Sequence, residues 1–237
     1  MNRPVRALAL LLALTPLAAA VGCSPRVVIP DEERERIAEE YDGRLRFLRV
    51  AVNVGPFFGD TTRFLLTDQP VEEIRLLESI NGESIPPPPA ERVIPPGTRV
   101  RIRTVEFPTP WLIAKRIVMT PRYHPWALLE LEKDPRPYVI VLPQEVARLE
   151  DVKTELERYL VADDPTAELQ ALPREQQDAV RRKELVEGMS LRAVEMAWGQ
   201  PEKRRIDRPA ATEDWTWPEG RRAAHFKEDR LVRWERK

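Results

Sequence analysis

Met189-Ser190-Leu191-Arg192-Ala193-Val194-Glu195-Met196-Ala197-Trp198-Gly199-Gln200-Pro201 is a helix written together with both of its ends. Ser190 offers a hydroxyl to the first free N–H groups, and Met189 before it is placed to staple onto Val194. Leu191, Val194 and Trp198 recur at spacings of three and four and share one face. Gly199 provides a C′ residue in the left-handed region, and Pro201 stops the helix from resuming. Outward toward the N-terminus, 174–186 predicts a charge-rich helix with Val180, Leu185 and Val186 as its sparse apolar side. Pro173 suits its first turn and Gly188 ends it. Outward toward the C-terminus, 203–207, 213–217, 221–227 and 230–235 read as strands by their period of two, with Trp215 and Trp217 on one face. Tight turns fall at 218–220 and at Glu228-Asp229. Two helices followed by an antiparallel meander of three to four strands make 173–237 an α+β module.

Several landmarks of this module occur together: Glu187-Gly188-Met189-Ser190, Ala197-Trp198-Gly199-Gln200-Pro201, Asp214-Trp215-Thr216-Trp217, Ala224-His225-Phe226-Lys227 and Leu231-Val232. Their order resembles the SmpA/OmlA (BamE-like) family over 174–237. The hairpin turn is Glu-Asp where Asn-Gly is common in that family, and Trp198 stands where Leu is more frequent. The resemblance implies a small envelope module that binds other proteins and catalyses nothing. Members include a lipoprotein of the outer-membrane β-barrel assembly machine and β-lactamase inhibitors of similar fold. Fold alone does not transfer function.

The chain opens with Arg3 and Arg6, then an apolar run over 7–20 broken by Thr15 and Pro16. A basic head, an apolar middle and small residues before a cut mark a secretory signal, and the run is short for a membrane span of ~20 residues. Ala20-Val21-Gly22-Cys23 resembles the lipobox of bacterial lipoproteins, in which the cysteine is acylated and becomes the new N-terminus. Cys23 is the sole cysteine. The competing reading is a plain secretory signal followed by a free thiol. Acylation implies a lasting anchor, because two buried chains suffice where one is marginal. In lipoproteins of this resemblance an Asp after the cysteine holds the protein at the inner membrane, so Ser24 there implies the outer membrane, with the folded part in the periplasm.

Length and composition set the remaining bounds. With 237 residues and 32% charged residues, the chain has room for two cores, and its mean hydropathy is −0.45. Losing the signal removes two of the 38 basic residues and none of the 39 acids, so the net charge moves from −1 to −3. That gives no field for steering onto nucleic acid. A single cysteine leaves no disulfide.

Between anchor and module, 24–30 reads as an extended tether with little to pack and 31–41 as a short helix ending at Gly43. Strands are predicted at 44–54, 61–67, 98–106, 113–120, 126–132 and 138–142. Asn81-Gly82 predicts a hairpin of 73–79 with 83–85, against a helix at 71–77. The four prolines of 86–89 form an extended surface segment. A long amphipathic helix is predicted over 144–161, from Val146, Leu149, Val152, Leu156 and Leu160, and one more turn at 166–170. Short strands punctuated by Pro and Gly make 44–143 a β-rich domain, a small barrel or a sandwich. Pro95-Pro96-Gly97-Thr98-Arg99-Val100-Arg101-Ile102 is similar to the turn and strand of SH3-like barrels of the envelope. The expected organisation is a signal at 1–22, tether and helix at 23–43, the β-rich domain at 44–143, a connecting helix and linker at 144–172, and the BamE-like module at 173–237.

Chemistry is sparse. His124 and His225 stand far apart with no ligand-spaced neighbours, so no metal or cofactor is expected. No phosphate loop and no nucleophile elbow occur, and no enzyme is expected. Asp163-Asp164 reads as a solvated linker pair. Arg122-Tyr123-His124-Pro125-Trp126 gathers stacking groups beside a proline. With Trp111 they are candidate contacts for sugar or peptide, or else loop packing. Arg221, Arg222 and Arg233 are candidate contacts for a partner or for anionic lipid headgroups, or else part of a mixed solvated surface. The expected function is a protein-binding accessory in outer-membrane assembly or maintenance, anchored through Cys23. The alternative is a peptidoglycan-binding lipoprotein that uses its β-rich domain.

Overall fold

The computed structural model describes residues 25–132 and 134–237, and the fold is mixed α+β with two sheets. The signal 1–22 and Cys23 lie outside the described residues. Helix α1 (Asp31–Tyr41) leads into β1 (Leu45–Leu48), β2 (Val52–Phe57) and β3 (Asp60–Thr67). After a hairpin-like excursion come β4 (Arg92–Ile94), β5 (Arg99–Glu106), a short α2 (Pro110–Lys115), β6 (Trp126–Leu131) and β7 (Asp134–Val141). Helix α3 (Leu149–Leu156), β8 (Leu160–Val161) and α4 (Thr166–Gln170) complete the first part. Helices α5 (Arg174–Arg181) and α6 (Leu191–Trp198) precede the strands β9 (Lys203–Asp207), β10 (Thr212–Thr216), β11 (Arg222–Lys227) and β12 (Arg230–Arg236).

The first sheet is open and runs β4-β2-β3-β7-β6-β5-β1-β8, with β3 and β7 parallel and the other pairs antiparallel. It curls enough for Arg92 on β4 to donate to Asp134 on β7 at 2.9 Å, three places along the order. Both faces are covered. Leu66, Leu129, Tyr138 and Ile140 join α1 and α3 in one core, while Leu65, Trp126 and Val139 join Phe57 and Ile74 in another. Adjacent residues such as Leu65 and Leu66 are therefore both buried. This explains the unbroken apolar run near Tyr138, since a strand covered on both faces needs no alternation.

Several sequence expectations change. The span 44–54 is two strands, because Arg49 and Ala51 turn their N–H groups to Tyr159 and Met196 and not to a ladder. The span 113–120 is no strand: Thr109 caps α2 by accepting from the Leu112 N–H at 3.1 Å, with Pro110 at its first position. The predicted long helix is helical only over α3, and Leu160 instead pairs with Leu48 on β1. The positions expected to be apolar still face the core, but two backbones place them there. The predicted hairpin contracts to one bridge, Glu78 with Ser84, around Gly82 at φ +78°, and Val71–Glu73 is a single 3₁₀ turn. The tether also packs more than its sequence implies, with Ile29 in the core and Arg26 paired to Glu145 at 2.8 Å.

The second part follows its predicted order β12-β11-β10-β9. Trp198, Trp215, Trp217 and Phe226 fill its core in edge and tilted contacts with centroids 4.8–6.0 Å apart. Glu228 and Asp229 turn the last hairpin, both at positive φ, 50° and 60°. This is the backbone a two-residue turn requires, achieved without glycine. Helix α5 stops at Arg181, short of the predicted 186, because Lys183 swings to φ +56°.

The two parts meet at the C-terminal end of α6. The last carbonyls of a helix have no partner within it. Here Glu195 accepts from Gly199 at 2.9 Å and Met196 from Ala51 at 2.7 Å. Ala197 accepts from Lys183 Nζ at 2.9 Å and Trp198 from Arg222 at 3.3 Å. Lys183 Nζ also donates to the Ala51 carbonyl at 2.6 Å. Two buried cations thus sit at the negative end of a helix dipole. Glu73 of the first part balances Arg222 at 3.1 Å. Gly199 closes the junction at φ +79° and ψ −179°, a region open to glycine alone and not the left-handed helical one expected. A Cβ there would lie 2.6 Å from Asp68 Oδ2.

Two outcomes follow from this junction. Gly199→Ala is expected to cost at least ~2 kcal/mol in urea denaturation, from backbone strain and the Asp68 contact together. Burial depresses the Lys183 ammonium from 10.5 to about 7, opposed by Asp68 and reinforced by Arg222 and Arg236. The unfolded chain keeps the ordinary value, so between these limits it holds a proton the folded chain has released. Stability therefore rises with pH across that window, and the burial penalty is largest below it. Lys183→Met should flatten that rise in denaturation series from about pH 6 to pH 10. It also orphans two carbonyls at ~1–3 kcal/mol each.

Candidate functional site

The candidate contact residues separate into an aromatic set on the first part and a basic set on the second. Of the aromatic set, Tyr123 and His124 border a groove of about 810 Å³, whose walls also include Arg26, Leu76, Val118 and Arg158. His124 is buried, and both ring nitrogens are engaged. Nδ1 lies 2.9 Å from the Leu142 carbonyl and Nε2 lies 2.9 Å from the Gln144 side-chain amide nitrogen. A carbonyl only accepts, so Nδ1 carries the hydrogen and Nε2 accepts from the amide. Burial lowers the imidazole pKa, which agrees with this neutral tautomer. The ring has no free lone pair or proton to offer a substrate.

Trp126 is interior. Its indole N–H donates to the Pro121 carbonyl at 3.0 Å, Phe57 meets it edge-on at 4.9 Å, and the Arg116 guanidinium lies 3.5 Å from its centroid. Arg116 is itself buried. It donates to the carbonyls of His124 at 2.7 Å and Arg122 at 3.0 Å, and pairs with Glu106 at 3.2 Å. Burial brings its pKa down to about 10, so it remains a cation at neutral pH. The Arg122–Trp126 cluster is thus a loop clamped from beneath by one guanidinium, and the packing alternative accounts for His124 and Trp126. Tyr123 is half-buried under Arg122, whose guanidinium lies 5.1 Å from the ring. Trp111 is the one exposed candidate stacker, at 66%, with Lys115 Nζ 4.0 Å from its ring centroid.

The basic set does not converge either. Arg222 is buried against Trp198 and Trp217, with centroid distances of 5.4 and 5.3 Å, and serves the junction. Arg221 pairs with Glu219 at 2.7 Å within its turn. Arg233 is exposed on the outer face of the second sheet. There the register aligns Arg205, Asp214, His225 and Arg233 in one row across all four strands. Asp214 lies 2.7 Å from His225 Nδ1, and Arg233 lies 3.2 Å from His225 Nε2. Every residue of β9 is exposed, and among the described residues no strand pairs with its far edge.

Sequence reasoning missed the row because it depends on register between strands as well as on alternation within each. The exposed Ile117, Val118 and Met119 were also missed, since 113–120 read as a strand. Thr109-Pro110, a cap followed by a first-turn proline, was the available signal. Among the described residues no group of three or more His, Cys, Asp or Glu could hold a metal ion, and no helix is long and apolar enough to cross a membrane. No family model matches the chain, and no curated protein or solved structure matches it.

The two tryptophans separate packing from contact. Trp126→Ala should cost ~3–5 kcal/mol in chemical denaturation, as a large side chain removed from a core. Trp111→Ala should shift stability by less than ~0.5 kcal/mol, as a surface change.

Proposed function

We propose that this chain is an outer-membrane lipoprotein, anchored through acylated Cys23, that acts as a non-catalytic protein-binding accessory in envelope assembly or maintenance. The C-terminal part is read as a BamE-like module, supported by its order of two helices and a four-stranded meander. The observation that carries the function is the second sheet's free surface. One face is sealed by Trp215, Trp217 and Phe226 against the helices. The other carries the row Arg205, Asp214, His225 and Arg233, and β9 leaves an open edge beside it. An unpaired edge accepts an added strand through main-chain hydrogen bonds. A charged row on the adjacent face supplies selectivity more than affinity.

The β-rich part is read as an SH3-like element only in its turn and strand around Gly97. Peptidoglycan binding has less support, because Trp126 is interior and Tyr123 is covered by Arg122. The expected result is that affinity capture from crosslinked envelopes recovers a defined protein with the wild type. The pair Arg205→Glu and Arg233→Glu should lose it while stability stays within ~0.5 kcal/mol. Recovery that ignores both reversals, or binding to purified sacculi that depends on Trp111, would sink this reading.

A further inference from the structure

Four large apolar side chains fall exposed within one short segment: Trp111 at 66%, Ile117 at 45%, Val118 at 68% and Met119 at 50%. Single exposed apolar residues are ordinary, whereas a contiguous set marks a contact surface. The backbone beneath them is fixed. Thr109 caps α2, Arg116 is locked between Glu106, Trp126 and two carbonyls, and Gly59 N–H donates to the Met119 carbonyl at 3.2 Å. Met119 Cβ also lies 2.8 Å from the point a Cβ on Gly59 would occupy. Lys115 Nζ sits 4.0 Å from the Trp111 ring centroid. An indole beside a long-stemmed cation is the composition that settles at a membrane–water interface.

The tether meets this segment at Val118. Ile29 is buried in the core, and Arg26, paired to Glu145, lines the groove that Val118 and Leu76 also border. Cys23 precedes Arg26 by three residues, so the intervening chain spans at most ~11 Å. An acyl group on Cys23 would therefore bring lipid to the mouth of this groove. Fully exposed Ile80 tips the hairpin whose base, Leu76 to Glu78, forms the groove wall.

We propose that the surface of Trp111, Ile117, Val118 and Met119, with Lys115, docks into the interfacial layer of the bilayer that holds Cys23. The inference rests on the anchored reading of the chain and adds to it a fixed orientation. The body lies against the membrane on its α2 side.

The test uses mature lipoprotein purified from membranes and placed in vesicles of phosphatidylethanolamine and phosphatidylglycerol with brominated acyl chains. Flotation and the mass of the Cys23 peptide record the anchor separately from the surface. Bromolipid should quench tryptophan emission, and Trp111→Phe should remove more than half of that quenching. The pair Val118→Ser and Met119→Ser should weaken it while flotation persists. Trp126, Trp198, Trp215 and Trp217 are buried, and Trp111→Phe separates Trp111 from partly exposed Trp234. A floating protein whose quenching is absent, or unchanged in Trp111→Phe, overturns the docking surface and leaves the anchor standing. No flotation with a free Cys23 thiol overturns both. A photoreactive group at Val118 that labels a protein instead of lipid in native envelopes overturns the docking surface alone.

Discussion

The end of α6 is the constraint on which the rest of the structure depends. Its last four carbonyls must find donors, and three of the four lie outside the helix and the residue that caps it: Ala51 of the first part, the Lys183 ammonium and the Arg222 guanidinium. An unpartnered buried carbonyl costs ~1–3 kcal/mol, so the two parts are joined by the need to terminate a helix. Buried cations are poor sources of net stability, because desolvation offsets much of the attraction. What they supply here is specificity of assembly. Lys183 bonds Ala51 of the first part and Ala197 of the second at once, so one ammonium ties the two parts together. Asp68 and Glu73 of the first part, facing Lys183 and Arg222, reinforce the same placement electrostatically.

A second cation organises the opposite region in the same manner. Arg116 lies under the loop that precedes β6, with its plane near Trp126 and its N–H groups on the carbonyls of Arg122 and His124. A loop clamped from below turns its remaining side chains outward. Of the cluster that the sequence left between contact and loop packing, His124 and Trp126 are packed inside and Tyr123 is half-buried, while Trp111 and 117–119 are exposed. In both places a buried guanidinium or ammonium satisfies main-chain carbonyls that no regular element provides for.

The two exposed regions differ in kind, and this supports a division of labour. The outer face of the second sheet is charged and hydrogen-bonding, with its row of Arg205, Asp214, His225 and Arg233 and its free edge at β9. The segment around α2 exposes Trp111, Ile117, Val118 and Met119 beside Lys115. A polar face with an open edge suits a folded protein or an extended chain, and an aromatic and aliphatic face suits an interface with lipid. Ile29 and Arg26 pack the segment before α1 onto the first part, while the charged row lies on the second sheet.

Local signals determined the C-terminal part from sequence: Ser190 at the start of α6, Gly199 and Pro201 at its end, and the two-residue period through Trp215, Trp217, Ala224 and Phe226. These are short-range rules, in which the residues that decide an element lie inside it or at its ends. The signals for Cys23 are likewise local. The first part was legible in composition but not in connection, because apolar spacing places side chains in a core without fixing the backbone that carries them. Leu160 reaches the same core from a strand that the helical period assigned to a helix. Only the tertiary structure decided which polar side chains turn inward, since the partners of Lys183, Arg222, Arg116 and His124 are mostly main-chain carbonyls supplied by other segments. A carbonyl is present at every residue, so the sequence carries no mark of which ones will need a donor.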